Sequence, residues 1–232
     1  MFEPLTAAEW TAIALSLRVA TVAAIVSLPF GIGVAYLLAR GRFPGRALFD
    51  AFVHLPLVMP PVVTGYLLLL LFGRRGPIGG FLEHTFGVVI AFKWEGAALV
   101  GAVMGFPLMV RAIRLSLDTV DRRLEAAAST LGASRIWVLT TVTLPLALPG
   151  VLAGLVLSFA RALGEFGATI TFVGNIPGVT QTMPSAIYTY TQVPGGDLAA
   201  LRLTAIAVII AFAALLISDA LARRATRRVL GQ

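Results

Sequence analysis

Residues able to do chemistry are few in this chain, and they cluster. Arg161 and Glu165 stand four apart, a spacing that puts both side chains on one helical face, in a stretch otherwise free of charge. A second group, Asp121, Arg122, Arg123 and Glu125, opens the segment "DRRLEAAASTLGASRIWVLTTVTLPLALPG", residues 121–150. There are no cysteines, so thiol and disulfide chemistry are excluded, and the only histidines are His54 and His84, too few to build a metal site. No G-x-x-x-x-G-K-[ST] phosphate loop occurs, and Lys93, the single lysine, lacks the glycine pattern that such a loop needs. This chain therefore hydrolyses no ATP by itself. What remains is charge set beside long apolar runs, which suits recognition and movement better than bond breaking.

The elements that must position these groups are membrane helices. Of 232 residues, 58% are hydrophobic and 12% charged, against about 25% charged in ordinary soluble domains; the mean hydropathy is +0.92. The runs are continuously apolar rather than alternating, which excludes a β-barrel, and long enough to cross a hydrocarbon core of roughly 30 Å. The fold class is all-α and polytopic, a single transmembrane domain with spans expected at about 12–39, 49–72, 92–112, 136–162 and 198–220. Glu3 and Glu9 precede the first run without a small-residue cleavage site, so the N-terminus reads as mature protein.

Net charge is +7, and its placement reads as membrane orientation rather than nucleic-acid binding. Arg40, Arg42, Arg46, Arg111, Arg114, Arg122, Arg123, Arg135, Arg223, Arg224, Arg227 and Arg228 fall on one side of five spans. Arg74, Arg75, Lys93 and Arg202 fall on the other. The N-terminus is expected outside and the C-terminus in the cytoplasm.

Asp121 can cap a helix through "RRLEAAAST", along which Leu124, Ala128 and Leu131 form one apolar stripe. Gly132 can take the left-handed conformation that ends it, and Ser134 can cap the next span. Residues 115–135 then form a cytoplasmic loop holding a short crosswise helix hinged to a membrane helix. Geometry alone leaves two readings open, a docking element or a solvated connector. Residues 164–197 fit neither span nor ordinary loop: from 166 to 196 there is no charge, much Thr, and Pro177, Pro184 and Pro194. Such backbone is either an external loop packed on the bundle or a re-entrant segment lining a pathway.

"EAAASTLGASRIWVLTTVTLP", residues 125–145, resembles the EAA loop of ABC-importer permeases, with Glu125, Ala126, Ala127, Gly132, Leu144 and Pro145 at the family spacing. "HLPLVMPPVVTGYLLLLLFG" and "ARALGEFGATITFVGNIPGVTQTMPSAIY" are similar to the molybdate-permease branch, and less specifically to sulfate permeases. The resemblance covers about residues 18–224. It implies the type I importer permease fold in a bacterial inner membrane, and a helix seated in a cleft of a cytoplasmic ATPase. It also implies a second copy of the chain, two ATPase subunits and an external oxyanion-binding protein as partners. No cofactor belongs to this chain; ATP and Mg are used by the ATPase. The cargo implied is molybdate or tungstate, with sulfate or thiosulfate as the alternative and a stand-alone anion carrier as the remote one.

By the same resemblance Gly164, Glu165, Phe166 and Gly167 belong to the family's gate region, with Thr169 in the same segment. Arg161 and Glu165 form either a structural pair or part of the pore mouth. Pro60 and Pro61 either kink the second span beside the pathway or mark a packing bend. His54 is expected as a packed helix histidine, and Arg18 as a side chain snorkelling to the headgroups. Reversing the charge of Glu125 is expected to weaken ATPase association only as an exposed ion pair would, by about 0–1 kcal/mol.

Overall fold

Backbone amides and carbonyls cannot be left unpaired in hydrocarbon, and the apolar runs satisfy them within helices. The computed structural model describes residues 4–230; Glu3 lies outside the described residues, as do the side chains of Arg227 and Arg228. No strand occurs among the described residues.

Helix α1 (Ala7–Arg40) starts at a capping box in which Thr6 and Glu9 satisfy each other's backbone amides. Its 34 residues reach about 50 Å at 1.5 Å per residue, more than a bilayer core requires. Helices α2 (Arg46–Val58) and α3 (Pro61–Phe72) follow, then α4 (Pro77–Phe86) and α5 (Trp94–Thr119). After the short α6 (Arg122–Thr130), one 29-residue helix runs Arg135–Leu163; it comprises α7 (Arg135–Val138), a π turn at Leu139–Thr143 and α8 (Leu144–Leu163). Two short helices, α9 (Gly167–Val173) and α10 (Met183–Thr191), precede α11 (Asp197–Leu230).

Four of these helices are long and apolar enough to cross a membrane, and five if α2 and α3 count as one. That pair occupies the region of the span expected at 49–72 and is sharply bent, either a broken span or a re-entrant loop. Its halves meet at 113°, and with 13 and 12 residues neither crosses alone. The cause is local: Met59 before Pro60 is held extended, and Pro61 restarts a helix at its first position. The segment 164–197 likewise folds as α9 and α10, of seven and nine residues, too short for a further span.

Helix α5 is the centre of the bundle, with α1 and α8 packed closely along it. Small residues set these crossings, as expected where dispersion rather than water expulsion drives helix association. A methyl group at Gly105 would lie 2.4 Å from Ser158 Oγ, and one at Gly101 2.9 Å from Ala162 Cβ. Larger residues there would force α5 and α8 apart. The helix Arg135–Leu163 is thereby held as a rod from α6 at one end to α9 at the other.

Candidate coupling site and gate region

The local signals around α6 fold as the sequence implies. Asp121 Oδ1 accepts the Arg123 amide at 2.9 Å, Gly132 takes φ +87°, and Ser134 Oγ accepts the Trp137 amide at 3.3 Å. Ala126 and Ala127 are exposed on the helix, and Leu144 and Pro145 open α8 directly after the π turn.

The orientation of α6 corrects one expectation. Glu125 does not stand free in solvent but turns into the protein. Its carboxylate receives Arg40 Nε at 3.2 and 3.1 Å, Arg40 Nη2 at 3.1 Å and Thr143 Oγ1 at 2.9 Å. Arg40 also donates to the carbonyls of Leu117 and Val120. The side chains of Arg40 and Glu125 are only 11% and 17% exposed. One carboxylate thus ties α6 to the ends of α1 and α5 and to the π turn. The apolar stripe faces the other way: Leu124 is 50% and Leu131 89% exposed. Leu131, Gly132, Ala133, Ser134 and Trp137, with Ala128, line an open cavity of about 520 Å³. An anchored helix that turns apolar side chains to solvent has an unfilled surface of the kind a partner covers.

At the far end of the rod, Arg161 Nη1 meets Glu165 Oε2 at 2.5 Å, while Glu165 Oε1 accepts the Ala168 amide at 2.9 Å. Glu165 is buried and its carboxylate fixes the start of α9. Gly164 ends α8. The Phe166 ring lies 5.2 Å from that of Tyr188. Gly167 lets α9 meet α3 at Pro61, where a methyl group would sit 3.0 Å from Pro61 Cβ. At Gly65 a methyl group would lie 2.5 Å from the Ala168 carbonyl oxygen. Pro61 is thus brought to Gly167, while Pro60 precedes it as the N-cap residue of α3. Thr169 is buried on α9, and Thr64 Oγ1, next to Gly65, is buried without a hydrogen-bond partner.

Three further pairs join residues far apart in sequence, which no local pattern announces. Glu9, buried beneath the start of α1, accepts Arg202 Nε and Nη2 at 3.1 and 3.2 Å, so a charge early in α11 is neutralised across 193 residues. Asp50 on α2 accepts Arg114 Nη1 of α5 at 2.9 Å and lies 3.1 Å from His54 Nδ1. His54 is therefore part of a charged cluster rather than simply packed. The Arg18 guanidinium lies 3.7 Å from the centre of the Trp94 ring, a cation–π contact rather than a free snorkelling side chain.

With this geometry in place, comparison with known proteins is decisive. Residues 27–230 match the family described as binding-protein-dependent transport system inner membrane component. The chain belongs to that family. The permease is accordingly a multi-pass component of the inner membrane. It is 60% identical over 224 residues to the molybdenum transport system permease protein ModB of Escherichia coli (strain K12), across 97% of this chain and 98% of ModB. To ModB of Haemophilus influenzae it is 56% identical over 97% of each chain. The sulfate transport system permease protein CysT of Salmonella typhimurium is 40% identical over 76% of this permease and 64% of its own length. Among solved structures, a bacterial ABC transporter involved in alginate import superposes with TM-score 0.74 at 18% identity, covering 95% of this chain and 80% of that one. The MetNI methionine ABC transporter, in inward-facing conformations, gives 0.68 at 18% identity over 94% of both chains. At such identities the structural likeness speaks for the fold.

Proposed function

We propose that this permease is the membrane subunit of an ABC importer that carries molybdate, or its congener tungstate, into the cytoplasm by alternating access. The observation that carries the substrate is the 60% identity to ModB over nearly the whole length of both chains, against 40% to a sulfate permease over part of them. ATP and Mg are used by two copies of a separate cytoplasmic ATPase, and an external oxyanion-binding protein delivers the cargo.

The geometry supplies a route for force. The ATPase seats on the exposed face of α6 and Trp137, while Glu125, through Arg40 and Thr143, passes the displacement to α1 and to the rod Arg135–Leu163. That rod ends at Gly164, where Glu165 holds α9 against α3. Movement at the coupling face therefore reaches the Pro61–Gly167 contact through one helix. The π turn, closed by wider hydrogen-bonded rings than the helix around it, gives the coupling end local play. A tetrahedral dianion passes such a gate on neutral hydroxyls and amides, because tight ionic binding there would stall release. A second copy of the chain packs on the exposed apolar face of α2 and α3, around Phe52, Leu55, Val58, Val62 and Tyr66, with the N-terminus outside and α6 in the cytoplasm.

The docking face is tested with Leu131→Asp and Trp137→Asp, scoring membrane level and co-purification of the ATPase. Both variants are expected at normal level with the ATPase lost. Unchanged co-purification of both would overturn the seating of the ATPase on α6.

A further inference from the structure

Between the end of α1 and the inward side of α6 lies a second cavity, of about 780 Å³. Its lining runs from Arg40, Arg122 and Arg135, at the end of α1 and on the α6 side, to Gly33, Tyr36 and Leu37 further back along α1. The Arg40 charge is balanced by Glu125. Arg122 makes only a 3.4 Å donation to the Ala39 carbonyl. The Arg135 side chain has neither ion pair nor hydrogen bond among the described residues. Two positive charges therefore face the cavity without a counter-charge.

The α1 wall runs well back from the arginines. Gly33 precedes Arg40 by seven positions, about 10 Å along the helix, and a methyl group added there would meet nothing within 4 Å. Leu37, between them, is exposed. A basic end at the terminus of a membrane helix, continuous with a slot running back along the span, matches a phosphodiester followed by glycerol and the first acyl carbons. A free oxyanion would satisfy the arginines and leave the slot empty. A loop of a soluble partner would have to climb beside α1 to the depth of the hydrocarbon.

We propose that this cavity binds the headgroup of an anionic phospholipid from the leaflet on the α6 side, with its upper acyl chain along Gly33 and Leu37. Arg122 is the first residue of α6 and Arg40 holds Glu125, so the bound lipid braces the coupling helix against α1 and makes the transporter responsive to membrane charge. The site does not depend on the identity of the cargo.

The test is native mass spectrometry of the transporter purified with its ATPase, given phosphatidylglycerol or phosphatidylcholine in detergent. The native complex is expected to retain one phosphatidylglycerol per permease copy in preference to phosphatidylcholine. R122Q/R135Q should weaken this roughly fivefold for each arginine, about 30-fold in all. G33F keeps every charge and fills the slot, and it should lose the lipid as well; R74Q/R75Q, a basic pair elsewhere, should not. Equal retention of the two lipids, or undiminished phosphatidylglycerol binding by R122Q/R135Q and G33F, would overturn the proposal. So would millimolar phosphate or molybdate binding undiminished in G33F, which would make the cavity a free-oxyanion site. Lipid retained only after the ATPase is stripped away would assign the cavity to that partner instead.

Discussion

Replacing Glu125 by alanine removes the acceptor of Arg40 Nε, Arg40 Nη2 and Thr143 Oγ1 together. Arg40 keeps two carbonyls but loses its counter-charge at a site where only 11% of its side chain is exposed. Removing one partner of a fully buried pair costs about 3–5 kcal/mol. The open cavity alongside admits water, which brings the expectation down to about 2–3 kcal/mol, near the loss of one hydrogen bond to a charged group. A nine-residue helix is marginal without its attachments, so the loss should appear as local opening of α6 rather than global unfolding. That corresponds to a roughly 30- to 150-fold larger opening constant, read as faster hydrogen exchange of the α6 amides with the α5 amides as internal reference. Glu125→Gln, which keeps an acceptor, should fall between, and Glu125→Lys, with an ammonium against Arg40, should exceed alanine. Arg40→Ala combined with Glu125→Ala should cost far less than the sum of the two single changes. Unchanged α6 exchange in Glu125→Ala, or strictly additive effects, would refute the inward anchor.

Gly132→Pro should abolish uptake at normal membrane level, because proline cannot adopt φ +87° and lacks the amide that donates to the Ser129 carbonyl; uptake and immunoblot together check this, and normal uptake would reduce the segment to a connector. Gly65→Leu should push α9 off α3, since even a methyl group would lie 2.5 Å from the Ala168 oxygen, and should show as lost uptake with disulfide crosslinking between α3 and α9 abolished. The native chain has no cysteine, so Ala8→Cys should react with an impermeant thiol reagent in intact cells and Ser134→Cys only after the membrane is opened. The reverse pattern would invert the orientation.

Much of this could be read directly because it is local. Asp121, Gly132 and Ser134 act within four residues of themselves, so the ends of α6 follow from the sequence alone. Composition likewise announces helices in a membrane. The bend at Met59–Pro60 is legible as a place, while its angle of 113° is not. The facing of α6 has a tertiary cause. Arg40, 85 positions away, draws Glu125 in, and the apolar stripe is left exposed on the other side. The Glu9–Arg202 and Asp50–Arg114 pairs are likewise tertiary, with no periodicity to announce them. Gly65, Gly105 and Gly167 were visible as glycines, yet the helix each admits was set by packing.

The central claim is ATP-driven import of molybdate through this chain, and vesicle uptake tests it most directly. The permease is reconstituted with its ATPase and binding protein, ATP is supplied on the α6 side, and labelled molybdate and sulfate are offered at equal concentration. Molybdate should accumulate in preference to sulfate, only with ATP, and not at all when the ATPase is omitted. Equal or greater accumulation of sulfate, or molybdate uptake without the ATPase, would contradict the account.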